Sequence, residues 1–197
     1  MKVRDSGMPD ETTWEHFFDA RQILTELAFN DFAADVIDFG CGYGTFTVAA
    51  AQLTSGTVYA LDIDGELIKS TAARAASLGL ENVKPIERDF VAKGTGLSDV
   101  SADYAMLFNI LHAENPVGLL REAWRVLRPG GKVAAIHWVY DAATPRGPAL
   151  SIRPRPAQCR TWIQQAGFEL VLPEVALPPH HYGVVARKSP HDARKSQ

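Results

Sequence analysis

The sequence has only two cysteines, Cys41 and Cys159, far apart and without CxxC spacing, which leaves no basis for a disulfide framework or a cysteine-paired zinc site. A large excess of positive or negative residues is also lacking. The formal net charge is −3, without the basic excess that a surface neutralising many phosphates requires, so nucleic acid is not an expected partner. No stretch approaches the ~20 apolar residues that span a bilayer, and Met1 to Asp10 holds no apolar core of signal-peptide length. Internal repeats and low-complexity tracts are absent. These absences lead to the expectation of a soluble protein of the reducing cytoplasm, with no membrane span and no metal.

What is present is enough apolar material, 46% of 197 residues, for one full core. Thr12 or Thr13 can cap a helix in which Trp14, Phe17, Phe18, Ile23, Leu24 and Leu27 recur at spacings near three and four, with a break near Asp19. From Asp35 onward, short apolar runs rich in Val and Ile alternate with longer helical stretches, the signature of βαβ units and a parallel sheet.

The strands fall at Val36 to Phe39, Thr57 to Leu61, Val83 to Glu87, Tyr104 to Phe108 and Lys132 to Trp138. Helices fall at Phe46 to Leu53, Glu66 to Leu78 and Val117 to Leu127, the last stopped by the turn Pro129-Gly130-Gly131. A Pro/Arg-rich stretch from Thr144 to Pro156 then precedes a helix at Cys159 to Ala166. Two last apolar runs, Phe168 to Leu172 and Tyr182 to Ala186, suit an antiparallel pair at the sheet edge. The fold class is therefore α/β: a doubly wound sheet with helices on both faces.

The strongest local signal is Val36-Ile37-Asp38-Phe39-Gly40-Cys41-Gly42-Tyr43-Gly44-Thr45-Phe46, a buried strand turning through glycines into a helix. Ligands of open α/β sheets bind at such strand ends, and glycine permits positive φ and close approach. The dinucleotide fingerprint GxGxxG needs glycine where Thr45 stands, which disfavours a nicotinamide-dependent oxidoreductase. A purely structural βα turn also uses glycines, so the turn alone does not settle a ligand.

Three further signals share its position at consecutive strand ends. Asp62 closes the second strand about 20 residues later, where an acid can accept from both ribose hydroxyls of an adenosine, while Asp64 is placed to cap the next helix. Glu87-Arg88-Asp89-Phe90 sets an acid beside an aromatic, suited to an adenine amino group and ring. Phe108-Asn109-Ile110-Leu111-His112 follows the fourth strand.

Taken together with Leu120-Arg121-Glu122-Ala123-Trp124-Arg125-Val126-Leu127-Arg128-Pro129-Gly130-Gly131, these motifs resemble the class I S-adenosylmethionine-dependent methyltransferases, above all the broad small-molecule group that includes the ubiquinone/menaquinone-biosynthesis methyltransferases. The resemblance covers about Asp35 to Lys188. It implies a Rossmann-like seven-stranded sheet, with five or six parallel strands and a reversed seventh strand between the fifth and sixth. It implies that Gly40, Cys41, Gly42 and Gly44 hold the methionine part of S-adenosyl-L-methionine, with Asp38 fixing its amino group. Asp62 with Ile63 would take the ribose, Asp89 and Phe90 the adenine, and Asn109 with Ile110 would pass beside the methionine end. The product would be S-adenosyl-L-homocysteine. The expected division is an N-terminal helical lid segment at 1–30, a cofactor-binding domain at 31–188 and a polar tail at 189–197.

The acceptor implied is a small molecule. Asn109-Ile110-Leu111-His112 stands where amino-methylating enzymes for DNA bases or glutamine carry an Asn/Asp-Pro-Pro-aromatic motif, which counts against those substrates. An RNA or protein acceptor, or a non-catalytic binding protein of the same fold, are the alternatives. His112 is the candidate base, at the strand end facing the transferred methyl. His137 reads as a core histidine. Tyr140 and Asp141 can touch substrate, and Arg146, Arg153 and Arg155 either bind an acidic acceptor or are simply solvated.

Overall fold

The computed structural model of the chain describes Phe17 and residues 19–30 and 34–190. Thr12, Thr13, Trp14 and Phe18 of the expected leading helix, and residues 191–197 of the expected tail, lie outside the described residues. The helix that is described, α1 (Ala20–Glu26), starts at Asp19, whose side chain accepts from the Gln22 N–H. A short acidic side chain stabilises a helix start by occupying an otherwise unpaired amide, which is why the break falls there. Leu24 and Leu27 are fully buried, and the Tyr104 hydroxyl donates to the Leu27 carbonyl at 2.8 Å, so α1 belongs to the core of one sheet face.

The remaining elements alternate as the sequence pattern requires: β1 (Val36–Phe39), α2 (Thr45–Leu53), β2 (Val58–Asp62), α3 (Gly65–Ser77), β3 (Val83–Glu87), α4 (Phe90–Lys93), β4 (Ala102–Phe108), α5 (Pro116–Val126), β5 (Leu127–Trp138), α6 (Pro156–Gln165), β6 (Glu169–Leu177) and β7 (His181–Arg187). They form one seven-stranded sheet in the order β3-β2-β1-β4-β5-β7-β6. β1 to β5 pair in parallel, and β7 is the reversed strand, antiparallel to both β5 and β6. The chain order reverses beside β1, so the ends of β1 and β4 open the crevice at which such sheets take ligands.

Side chains alternate between two apolar layers, as strand geometry demands. Ile37, Phe39, Leu107 and Ala135 face the layer of α5 and α6, whereas Val36, Met106, Ala134 and Ile136 face α1 and α2. Among the described residues no helix is long and apolar enough to cross a membrane.

Two of the boundaries that differ from the sequence expectation have identifiable causes. Pro129-Gly130-Gly131 is not a turn between helix and strand: α5 ends at Val126, and β5 begins at once with Leu127, which pairs with Ala102. The extra residues are absorbed as an irregularity opposite Ala102 and Tyr104, with Gly130 at φ 84°. The helix end is closed instead from a distance, by Lys188, whose ammonium donates to the Trp124 and Leu127 carbonyls at 2.8 and 2.7 Å. The second difference is Pro173, which lies within β6 and does not end it. β6 is an edge strand with shifted register around this point, where a missing N–H leaves no ladder bond unmade.

Opposite the crevice, Arg128 ties strand beginnings together. It donates to Asp103 at 2.5 Å and to Asp35 at 3.0 Å, and the Asp35 N–H donates to Asp103 at 2.9 Å.

Candidate functional site

The glycine turn is built on conformations that side chains resist. Gly40, Gly42 and Gly44 have φ of 79°, 54° and 78°, a region costing an ordinary residue roughly 1–2 kcal/mol. Space adds to this at two of them. A Cβ on Gly40 would stand 3.1 Å from Ile110 Cδ1, and one on Gly44 would stand 2.9 Å from Thr71 Oγ1. Gly44 also starts α2, so the turn runs straight into a helix N-terminus, with its unpaired amides and partial positive charge.

Asp62 joins two of the sequence motifs physically. Its Oδ2 accepts from the Gly42 N–H and its Oδ1 from the Asp64 N–H, both at 3.0 Å. Each carboxylate oxygen keeps a further lone pair, so the group can still take hydroxyl donors while it fixes the glycine turn. Asp64 caps α3, accepting from Glu66 N–H, and Ile63 is half-buried between the two acids.

Asp38 lies deeper. It is 2% exposed, and Thr47 of α2 donates its hydroxyl to it at 2.7 Å. Burial pushes its carboxyl up to about 7, the nearby charge of Asp62 adds to the rise, and the Thr47 hydroxyl partly offsets it. Cys41 is buried against Thr71, and its thiol is raised by burial and by the two carboxylates. A thiol so placed is a packing group without nucleophilic character at neutral pH.

At the third strand end Asp89 caps α4 through the Ala92 N–H. Phe90 is 5% exposed and packs edge-on to Phe39 with centroids 5.5 Å apart. At the fourth, Asn109 has φ 55° and its amide nitrogen and oxygen are both buried with no hydrogen-bond partner among the described residues. Strained backbone and unmet polar atoms at a strand end are features that functional sites accumulate. Ile110 is buried beside Gly40. Gly40, Gly42, Asp62, Asn109 and Ile110 thus meet at the ends of β1, β2 and β4. They form a cradle of glycine backbone, carboxylate and unmet amide, with hydrogen-bonding capacity left over for a polar ligand.

His112 is 4% exposed and meets His137 edge-on, with ring centroids 5.5 Å apart. His137 is held well below its usual range, first by burial and then by the charges of His112, His181 and Arg153. Tyr140 is exposed and carries the Arg155 guanidinium over its ring at 3.7 Å.

Of the three arginines in the loop after β5, Arg153 is not available to an acidic acceptor. Its guanidinium is spent on the carbonyls of Val139, Asp141, Arg146 and Pro148 and the Thr144 hydroxyl, which staples that loop. Arg146 is exposed. Asp141 caps the same loop through the Ala143 N–H.

Sequence reasoning passed over several contributors. Thr47 and Thr71 reach the turn from helices, Thr71 donating to the Gly42 carbonyl at 3.0 Å, and neither stands in a recognisable motif. Trp138 is fully buried at the end of β5, 4.2 Å from the His181 ring and 5.4 Å from Phe17. Its ring partners come from two widely separated parts of the chain, which no local pattern brings together.

Residues 31–162 match the profile of a family described as a methyltransferase domain. The chain is 40% identical over 103 residues to a ribosomal protein L11 methyltransferase of Methylococcus capsulatus, an alignment covering 51% of the chain and 32% of that protein. It is 30% identical over 132 residues to the nocamycin O-methyltransferase of Saccharothrix syringae, covering 66% and 47%. The chain spans about a third to a half of the length of such curated relatives. A crystal structure of an S-adenosylmethionine-dependent methyltransferase from Aquifex aeolicus superposes with TM-score 0.78 at 23% identity, over 90% of this chain and 93% of that one. The [4+2]-cyclase SpnF superposes at 0.73 with 18% identity, over 86% and 80%. These likenesses concern the fold.

Proposed function

The chain belongs to the class I S-adenosylmethionine-dependent methyltransferase family, and from that membership we propose that it binds S-adenosyl-L-methionine and passes the methyl group in line to a small-molecule acceptor. The observation supporting this reading is the Asp62 carboxylate locked onto the Gly42 amide, an acid able to accept sugar hydroxyls held against the glycine turn. On this reading Gly40, Gly42 and Gly44 offer backbone to the tail, Asp38 faces its ammonium, and Asp89 and Phe90 border the adenine. Asn109 and Ile110 border the methionine end.

The bound sulfonium supplies an already activated methyl group. The residues here therefore orient, and orientation alone can lower a barrier by about 7–11 kcal/mol in the best cases. No metal forms part of the proposal. His112 is the candidate base where the acceptor must lose a proton. The 30% identity to an O-methyltransferase supports a small acceptor. The 40% identity to one ribosomal protein L11 methyltransferase favours a protein acceptor as the second reading.

The test is thermal unfolding with and without S-adenosylmethionine. At 100 times the dissociation constant the ligand adds about 2.7 kcal/mol, a rise of about 5–10 °C for a domain of this size. No rise with it or with S-adenosylhomocysteine, or a rise undiminished in Asp62→Ala, defeats the reading. Labelled methyl recovered from a cell extract in small molecules or in protein decides between the two acceptors.

A further inference from the structure

His137 presents a donor with nothing to donate to among the described residues. Its Nδ1 accepts the Trp138 N–H at 3.1 Å, which leaves the proton of the neutral imidazole on Nε2. That Nε2 is buried and has no partner among the described residues. The ring is 1% exposed, near the end of β5 on the sheet face shared with α5 and α6.

The neighbouring strand end has the same property. The Asn109 N–H donates to the Ile136 carbonyl at 2.8 Å, so Asn109 stands directly beside His137, and both polar atoms of its side chain are also unmet among the described residues. Buried polar groups are normally paired, and two unmet side chains on adjoining strand ends at the crevice mark where a polar ligand atom belongs.

Resting on the methyl-transfer reading, we propose that His137 Nε2–H donates a hydrogen bond to a hydroxyl or carbonyl oxygen of the methyl acceptor. The acceptor is then an oxygen-bearing small molecule such as a phenol, enol or ketone. His137 holds this oxygen without taking its proton. Burial and the charges of His112, His181 and Arg153 oppose a second proton on the ring, and the nitrogen that would receive it already accepts from the backbone. The role is positioning of the acceptor, separate from the base role considered for His112.

The test titrates phenol, and toluene as its oxygen-free counterpart, into the full chain labelled with 15N-histidine and saturated with S-adenosylhomocysteine. Phenol is expected to move the His137 Nε2 resonance and to bind His137→Leu about tenfold more weakly than wild type, the loss of one hydrogen bond. Toluene is expected to bind the two alike. His137→Gln, which restores a side-chain N–H, recovers part of the phenol affinity.

A His137 that only packs, or only holds a trapped water, gives a different result: phenol leaves Nε2 unmoved or moves it no more than toluene does. That result overturns the proposal, whether or not His137→Leu folds. S-adenosylhomocysteine binding separates the two failures. If wild type binds it and phenol shows no preference, the inference about His137 alone falls; if wild type does not bind it, the methyl-transfer reading falls and the inference with it.

Discussion

Thr47, in the first turn of α2, donates its hydroxyl to the buried carboxylate of Asp38 at 2.7 Å. One hydroxyl does not compensate for the loss of water around a carboxylate, and the group retains its proton up to about pH 7 in the folded chain.

A pH-dependent stability change follows. The folded-state value lies above the ordinary 3.8, so the contribution of Asp38 is fully present below about pH 4 and is lost as pH rises through about 7. Asp38→Asn imitates the protonated form at every pH. It should lie nearest wild type in chemical denaturation at pH 4, draw ahead as pH rises toward 7, and exceed it at pH 8 by on the order of a few kcal/mol. Equal differences at the two ends of that range would contradict the burial argument.

The glycine turn allows conformation and crowding to be measured apart. Gly44→Ala meets both a φ of 78° and Thr71 at 2.9 Å, whereas Gly79→Ala meets a φ of 67° with nothing within 4 Å. Gly79→Ala should cost about 1 kcal/mol, the left-handed penalty. Gly44→Ala should cost about 2–4 kcal/mol and weaken binding of S-adenosylmethionine, because Thr71 must release the Gly42 carbonyl. Similar melting points for the two variants would show that Thr71 yields without cost.

Much of this was legible beforehand, for a physical reason. Gly40, Gly42 and Gly44 act through their own φ, and Asp62 through its place at a strand end, both of which a local pattern encodes. Thr47, Thr71, Trp138 and Lys188 act through contacts made across elements, which spacing does not report. Pro129-Gly130-Gly131 misled because a proline-glycine run signals a turn, while pairing of Leu127 with Ala102 and capping by Lys188 carried it into β5. Arg153 misled because an arginine in a polar loop looks solvated or ligand-seeking until its five carbonyl and hydroxyl partners are seen.

Arg128 should matter to stability and not to binding. Arg128→Met removes the link between Asp35 and Asp103 and leaves their carboxylates facing one another. The side chains are partly exposed, so the cost should be modest, about 1–2 kcal/mol, and smaller in high salt. Urea denaturation at two salt concentrations checks this. An altered dissociation constant for S-adenosylmethionine would refute the assignment.

Glu122 supplies the acid limb of stability. The Arg125 guanidinium, aided by the Thr95 amide and hydroxyl, holds its carboxyl down at about 2. The folded value lies below the ordinary 4.5, so the stabilisation is present above that pH and is lost as pH falls toward 2. With solvent screening allowed for, about 1–2 kcal/mol is at stake. Glu122→Gln should be less stable at neutral pH and lose less between pH 4.5 and 2 than wild type does, as followed by circular dichroism. Parallel acid limbs would sink the idea.

Because β7 runs against the other strands, it begins where they finish, and His180 and His181 arrive beside Trp138 at the rim shared with Asn109. The glycine cradle is thus written in one early segment, while the opposite bank of the crevice is written some hundred and forty residues later. On the proposed reading, variation in the later segment therefore changes which acceptor is admitted while the methyl-donor socket stays as it is.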